Sequence, residues 1–290
     1  MTAIYIALSV LCSTGIFVVF KLFEKLEVNT RKAIVANYLV AAVFGLALFG
    51  SLQAAIEIPG KSWFWLSCVL GSLFISLFYL MATIAQKIGV ATASVASKMS
   101  VVIPVIAAVL IYNDSFSSLK IIGIVLALAG LYLATQKGKT VIRDPKLLWL
   151  PVILFFGSGL LDTLLKLAEN KFVPPEDQLL FIPSIFMMAF VFGFLFTTIQ
   201  AFRNKNFKVE SRSVIGGIFL GIINYGSIYF IWNALAQPAA ESSMVFPVAN
   251  MGVVAASALA GLALFKEQLT IKNWLGIIIC VGSIAIIAFS

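Results

Sequence analysis

The chain contains no histidine, three cysteines and only 11% charged residues. Each scarcity closes off a class of chemistry. Without imidazole, the commonest general base, proton shuttle and metal ligand is missing. Cys12, Cys68 and Cys280 stand far apart, each inside an apolar run. That spacing fits neither a zinc site nor a disulfide framework; they read as small buried apolar residues, and no metal or other cofactor is expected. No GxxxxGK[ST] run occurs, so ATP hydrolysis by this chain is not expected. Soluble chains carry about 25% charged residues. With 61% hydrophobic residues and a mean hydropathy of +1.07, this chain requires lipid as solvent. Roughly 20 apolar residues cross the hydrocarbon, so 290 residues allow about ten crossings and no sizeable soluble domain.

Ten apolar runs are present, at 2–20, 33–50, 63–85, 90–112, 119–135, 148–168, 179–201, 214–236, 239–265 and 273–289. A closed barrel would alternate in segments of about ten residues, which these runs do not. Helices are the remaining way to satisfy the backbone in lipid. The expectation is an all-α integral membrane protein with ten transmembrane helices. Trp63, Trp65, Trp149 and Trp274 lie at predicted helix starts and Trp232 near a helix end, where indole rings favour the headgroup level. Residues 2–20 are apolar but no charged segment precedes them, so no cleavable signal is expected.

The net charge of +8 resides in the turns between runs, the pattern of orientation signals rather than of nucleic-acid binding. The loops after odd-numbered runs hold fifteen Lys and Arg and the even-numbered loops four. That bias puts the odd loops in the cytoplasm and both termini outside. Internal similarity supports two five-helix halves, 1–136 and 148–290, joined by a cytoplasmic linker at 137–147. STGIFVVFKLFEK (13–25) runs against SGLLDTLLKLAEN (158–170), AVFG (42–45) against FVFG (190–193), and Gly71 and Tyr79 against Gly221 and Tyr229. SVASKMSVVIPVIAAVLIYNDSFSSLKIIG (94–123) runs against PVANMGVVAASALAGLALFKEQLTIKNWLG (247–276). An odd number of helices per half makes the repeats inverted, with a substrate site expected near the midplane at their interface.

Each half closes on a helix with Ser and Pro, an acidic turn and a last helix with an early Gly. In FPVANMGVVAASALAGLALFKEQLTIKNWLGIIICVGSIAI (246–286) the acid is Glu267; in IYNDSFS (111–117) it is Asp114. On these residues the chain resembles, over nearly its full length, the ten-helix EamA-type branch of the drug/metabolite transporter superfamily. Members of that superfamily carry amino acids, sugars, nucleotide derivatives and drugs. The resemblance implies a small-solute carrier and names no substrate.

Lys98, in ASVASKMSVVIP, lies about three residues, roughly 4.5 Å, from the middle of the fourth run. A lysine there costs about 2.5–3.5 kcal/mol on insertion scales, so it faces a cavity or a partner. It reads either as a cationic anchor for a substrate carboxylate or phosphate, or as a structural or snorkelling lysine. Its repeat counterpart is Met251. Asp162, in SGLLDTLLK, is the acid placed well inside a span. It reads as a proton-coupling group or as half of a local pair with Lys166 one helical turn on. Glu241, at the start of the ninth run, reads as a second coupling acid or as a helix-dipole partner.

Among neutral groups, Ser97, Asn224, Asn250, Tyr225 and Tyr229 are candidate substrate contacts, and Asn250 aligns with Ser97 beside Lys98. Asn37 and Asn233 share the chemistry, yet asparagines also hold membrane helices to one another. Pro104 and Pro247 fall in repeat-equivalent helices and remove backbone hydrogen bonds mid-membrane, which suits a hinge. Small residues in GVVAASALAG (252–261) favour close helix contact.

Resemblance and residues together lead to the expectation of a secondary active transporter of the cytoplasmic membrane, exporting a small anionic or zwitterionic metabolite by alternating access. Protons are the candidate coupling ion, a monomer or weak homodimer is expected, and no catalytic residue is assigned. The alternatives are a lipid or polyprenyl-carrier flippase and, further off, an intramembrane enzyme, for which Lys98, Asp162 and Ser97 would have to serve as nucleophile and base.

Overall fold

The computed structural model describes residues 1–49, 52–112, 118–135, 145–205, 210–235, 237 and 242–288. No strand occurs among them. In chain order the helices are α1 (Thr2–Lys25), α2 (Thr30–Phe49), α3 (Leu52–Glu57), α4 (Phe64–Lys87), α5 (Val90–Met99), α6 (Val102–Tyr112), α7 (Ser118–Thr135), α8 (Leu150–Lys171), α9 (Gln178–Asn204), α10 (Ser211–Leu235), α11 (Ser242–Phe265) and α12 (Ile271–Ala288). Among the described residues, eight stretches are long and apolar enough to cross a membrane, and they fall on the first four and the sixth to ninth apolar runs. The remaining two runs form α7 and α12, whose apolar parts, Ile121–Ala134 and Ile271–Ile287, are shorter.

Three expectations need correction. The fourth run is not one helix but two, α5 and α6, broken at Ser100 and Val101. The cause is four residues downstream. Pro104 has no N–H to give the Ser100 carbonyl, and its ring crowds that oxygen. The carbonyl instead accepts the tighter bond from Ile103 N–H at 2.9 Å, while Ser100 Oγ donates back to the Ser97 carbonyl at 2.6 Å. Pro247 does not break its helix: it is the sixth residue of α11, which runs on unbroken. The bond it removes is the one to the carbonyl of residue 243, near the start of the helix. Trp63 is not a headgroup anchor. It is 1% exposed, because its indole N–H has a buried acceptor, described below; Trp65, Trp149 and Trp232 are exposed as expected.

The chain forms two compact units, each drawn from both halves of the sequence. Unit 1 comprises Met1–Lys21, Leu80–Leu160 and Gly226–Ser290; unit 2 comprises Leu22–Tyr79 and Leu161–Tyr225.

Unit 1 is built round α5, α7, α11 and α12, with Val95, Met99, Val102, Ala127, Val254, Ala258 and Cys280 in its core. Helices α7 and α12 pack antiparallel with backbones nearly touching. A Cβ on Gly123 would lie 2.6 Å from Ile287, one on Gly130 2.8 Å from Cys280 Sγ, and one on Gly276 would strike the Ala134 amide. Asn273, 3% exposed, closes this pair. Its Oδ1 accepts from Thr270 N–H at 2.9 Å and Thr270 Oγ1 at 2.7 Å, capping the start of α12. Its Nδ2 donates to the Leu133 and Ala134 carbonyls at 3.2 and 3.0 Å, which the end of α7 would otherwise leave unpaired. Asn273→Ala is expected to cost about 2–3 kcal/mol, read as a lower midpoint of thermal unfolding in detergent; Asn273→Asp, which keeps the cap and loses the donors, should fall between.

Unit 2 is built round α2 and α9, also antiparallel. A Cβ on Gly45 would lie 2.8 Å from Pro183 Cγ, and one on Gly193 2.9 Å from Val35 Cγ2. The offset of 148 that carries AVFG onto FVFG exchanges these two contacts. Helices α4 and α10 repeat the exchange. A Cβ on Gly71 of α4 would meet Met188 Cβ at 2.7 Å and the Ile185 carbonyl oxygen at 3.0 Å. One on Gly221 of α10 would meet Val40 Cβ at 2.7 Å and the Asn37 carbonyl oxygen at 2.9 Å. Only glycine permits so close an approach.

Candidate functional site

In unit 1 the broken helix α5 supplies the setting for Lys98. Its residues VATASVASKM are small, and Val90 through Ala96 are all buried, so the helix packs on every face. Its start is held by a carboxylate from another segment. Glu267 follows α11, Oε1 accepting from Val90 N–H at 2.7 Å and Oε2 from Ala91 N–H at 3.4 Å. Gly89, at φ +152°, and Gly261 make room for it: a Cβ at either would lie 2.9 or 2.5 Å from Glu267 Oε2. Burial pushes the Glu267 pKa above the ordinary carboxylate value, against the two amides and the nearby Lys21 charge. Lys21 Nζ in turn donates to the Gln86 carbonyl in the last turn of α4, and Gln86 Nε2 donates to the Phe20 carbonyl at 2.9 Å.

Lys98 is half-buried in the last turn of α5. A helix end carries unpaired carbonyls and partial negative charge, so the break after Met99 places a basic residue in the last turn, the position that a helix dipole favours for a cation. Ser97 beside it, Asn250 and Pro247 on α11 and Pro104 on α6 are likewise half-buried, and α5 packs against α11. Tyr229 is 37% exposed; its ring lies edge-on to Phe230 at 5.5 Å, and its carbonyl accepts from Asn233 Nδ2 at 2.8 Å. Glu241 and Asp114 lie outside the described residues, as does most of the 137–147 linker.

The other candidates fall in unit 2. Asn224, 6% exposed, donates from Nδ2 to Asn37 Oδ1 at 3.2 Å, joining α10 to α2. Tyr225 is 8% exposed and packs on Phe44 at 5.9 Å between ring centroids. Asp162 and Lys166 are both exposed on α8. The sequence reading thus gathers Ser97, Lys98 and Asn250 on packed helices, whereas Asp162, Asn224 and Tyr225 belong to the second unit.

Two clusters escaped the sequence reading. Glu267 was visible as an acidic turn, but its reach to the α5 amides was not; the paired glycines 89 and 261 are the only local signal. In unit 2, Asp177 accepts from Lys61 Nζ through Oδ1 and from Trp63 Nε1 through Oδ2, both at 2.9 Å. Phe181 packs edge-on against the Trp63 ring at 5.5 Å. Nothing in the spacing of residues 61, 63 and 177 announces this triad.

Two comparisons with known proteins bear on the whole chain. A Haemophilus influenzae protein described as uncharacterized is 31% identical over 284 residues, covering 95% of this chain and 94% of that one. A crystal structure at 12% identity superposes with a TM-score of 0.56 and covers 96% of this chain and 97% of the other, which establishes likeness of fold alone. A third locates the family: residues 1–136 match the EamA-like transporter family. With its described residues nearly all helical and eight membrane-length apolar stretches among them, the chain belongs, on this match, to the EamA-like transporter family, within the drug/metabolite transporter superfamily.

Proposed function

We propose that the protein is a secondary active transporter that exports a small anionic or zwitterionic metabolite across the cytoplasmic membrane by alternating access. Family membership supplies the transporter class. The observation that carries the finer reading is the half-buried lysine in the last turn of a broken membrane helix. Interrupted helices are where membrane carriers bind solutes and ions, and a fixed cation there suits a carboxylate or phosphate. An enzyme would need a nucleophile with an activating base, and the transporter family argues against one.

The two halves are read as inverted repeats. Support comes from the pairing of equivalent helices, α2 with α9 in unit 2 and α7 with α12 in unit 1, each antiparallel. The exchanged glycine contacts Gly45–Pro183 and Gly193–Val35, and Gly71–Met188 and Gly221–Val40, are what a two-fold axis in the membrane plane would generate. On that reading Pro104, by breaking its helix, is the better hinge of the two prolines, and Ser97, Asn250 and Tyr229 are contacts for the solute near Lys98.

Two experiments test these statements. Purified protein in sealed vesicles, offered a panel of labelled amino acids, organic acids and sugar phosphates with and without a pH gradient, should move at least one anionic or zwitterionic solute; movement of neutral solutes alone would contradict the anchor. Orientation follows from the loop bias of fifteen basic residues to four. A C-terminal alkaline phosphatase fusion should be active and a C-terminal fluorescent protein dark, whereas the opposite result would place the C-terminus inside.

A further inference from the structure

Within unit 2 the same joint occurs twice, with different chemistry. The offset of 150 that carries Gly71 onto Gly221 also carries Trp63 onto Ser213 and Lys61 onto Ser211; the offset of 148 carries Asn29 onto Asp177. The structure pairs these positions in exchanged fashion. Trp63 Nε1 donates to Asp177 Oδ2 at 2.9 Å, and at the counterpart Asn29 N–H donates to Ser213 Oγ at 3.1 Å.

The two joints differ in strength for a visible reason. Asn29 and Asp177 are equivalent residues immediately before α2 and α9. Asn29 Oδ1 accepts from Lys32 N–H at 3.3 Å, so its side chain serves its own helix. Asp177 makes no such cap; its carboxylate crosses to the segment before α4, where Lys61 and Trp63 hold both oxygens. One joint is a largely buried, charge-assisted triad braced by Phe181; at the other, the bond between Asn29 and Ser213 is neutral. Charge-assisted bonds are roughly twice as strong as neutral ones.

We infer that the Lys61–Asp177–Trp63 triad is a latch that keeps the starts of α4 and α9 together in the resting carrier, while its neutral counterpart at Asn29–Ser213 parts first. In a carrier made of inverted repeats, joints at equivalent places exchange roles between the two states, so unequal joints bias which end stays closed. In the proposed orientation the latched end faces outside. The resting protein is then open to the cytoplasm, where an exporter loads. The inference rests on the alternating-access reading but is read out by geometry rather than by flux, so the two can fail separately.

The latch is not a pH sensor near neutrality. Burial alone would raise Asp177, but the hydrogen bonds from Lys61 and Trp63 and the Lys61 charge outweigh it and hold its pKa below the ordinary value. The bond to Asp177 raises Lys61, with smaller help from Glu57 and Glu176. The carboxylate's contribution is present above the ordinary Asp pKa and lost as pH falls through the lowered one. The ammonium's is present below the ordinary Lys pKa and lost as pH rises through the raised one. Between those limits the triad stays charged.

The test uses the full chain in proteoliposomes with its native cysteines replaced and spin labels on paired cysteines. One pair spans the latch, Gly60→Cys with Pro175→Cys; the other spans the counterpart, Leu26→Cys with Glu210→Cys. All four positions are exposed, and a Cβ at Gly60 meets nothing within 4 Å. Asp177→Asn and Lys61→Met should each move the population about tenfold or more toward a longer 60–175 distance, with the 26–210 distance shortening. Grafting the charges onto the neutral joint, with Asn29→Asp and Ser211→Lys in the otherwise native chain, should narrow and shorten the 26–210 distribution. Unchanged distances in folded Asp177→Asn, or in the graft should the former not fold, would overturn the latch.

Discussion

Lys98→Met is expected to abolish movement of anionic solutes while leaving folded protein in the membrane. The substitution is mild for the scaffold: under the proposed repeat the equivalent position carries Met251, half-buried beside the unit 1 core. It is severe for an anion, because a hydrogen bond to a charged group is worth about 1.5–3 kcal/mol, roughly 10- to 150-fold in affinity. Lys98→Arg keeps the charge and should retain part of the flux. The competing account makes the lysine structural, its ammonium serving only the carbonyls at the end of α5. That account expects Lys98→Met to lower the unfolding midpoint and Arg to restore it, with flux per folded molecule unchanged. Normal flux in Lys98→Met would remove the anchor from the mechanism.

Asp162→Asn should uncouple transport from the proton gradient. Asp162 is exposed on α8, and a carboxyl group on a membrane-crossing helix needs a polar partner or a water-accessible path, since its charge in hydrocarbon costs kilocalories. A water-accessible path is compatible with reversible protonation. Asparagine keeps the shape and hydrogen-bonding capacity but cannot exchange a proton. Uphill movement driven by a pH gradient should therefore vanish, while exchange at equal pH survives. If the residue serves only to pair with Lys166, both assays should lose activity together through lower stability, and neutralising Lys166 as well should recover part of it. Persistent uphill flux in folded Asp162→Asn would exclude the coupling role.

Much of the fold was legible because lipid leaves the backbone few options. Run length and polarity located the apolar helical stretches, and the glycines at 71 and 221, paired from the sequence, stand against Met188 and Val40 in the structure. The break in the fourth run was encoded by Pro104, but in lipid a proline either bends a helix or breaks it, and the outcome depends on what receives the Ser100 carbonyl. The burial of Trp63 was illegible for a different reason. Its acceptor, Asp177, is more than a hundred residues away, and an aromatic residue at a helix start signals the headgroup region unless such a partner is known. Glu267 shows the same limit: as one acid in a turn it signals little, and only the fold brings it to the open amides of α5.

Candidate site residues were less legible than helices because polar groups in membrane helices serve two purposes. Asn224 illustrates this. Its type suggested solute binding, and the structure gives its amide to Asn37, a bond between helices. Lys98 differs because it stands in the last turn of α5, a helix end concealed when residues 90–112 are taken as one run.

The central claim is that a solute binds at one site reached alternately from the two sides. Counterflow in sealed proteoliposomes tests it most directly: vesicles loaded with unlabelled solute found in the panel are diluted into medium with a trace of the labelled one. An alternating carrier returns its site loaded, so labelled solute should accumulate transiently above its external concentration, and Lys98→Met should abolish the overshoot. Uptake that never exceeds equilibration, or chemical conversion of the solute without net movement, would contradict the account.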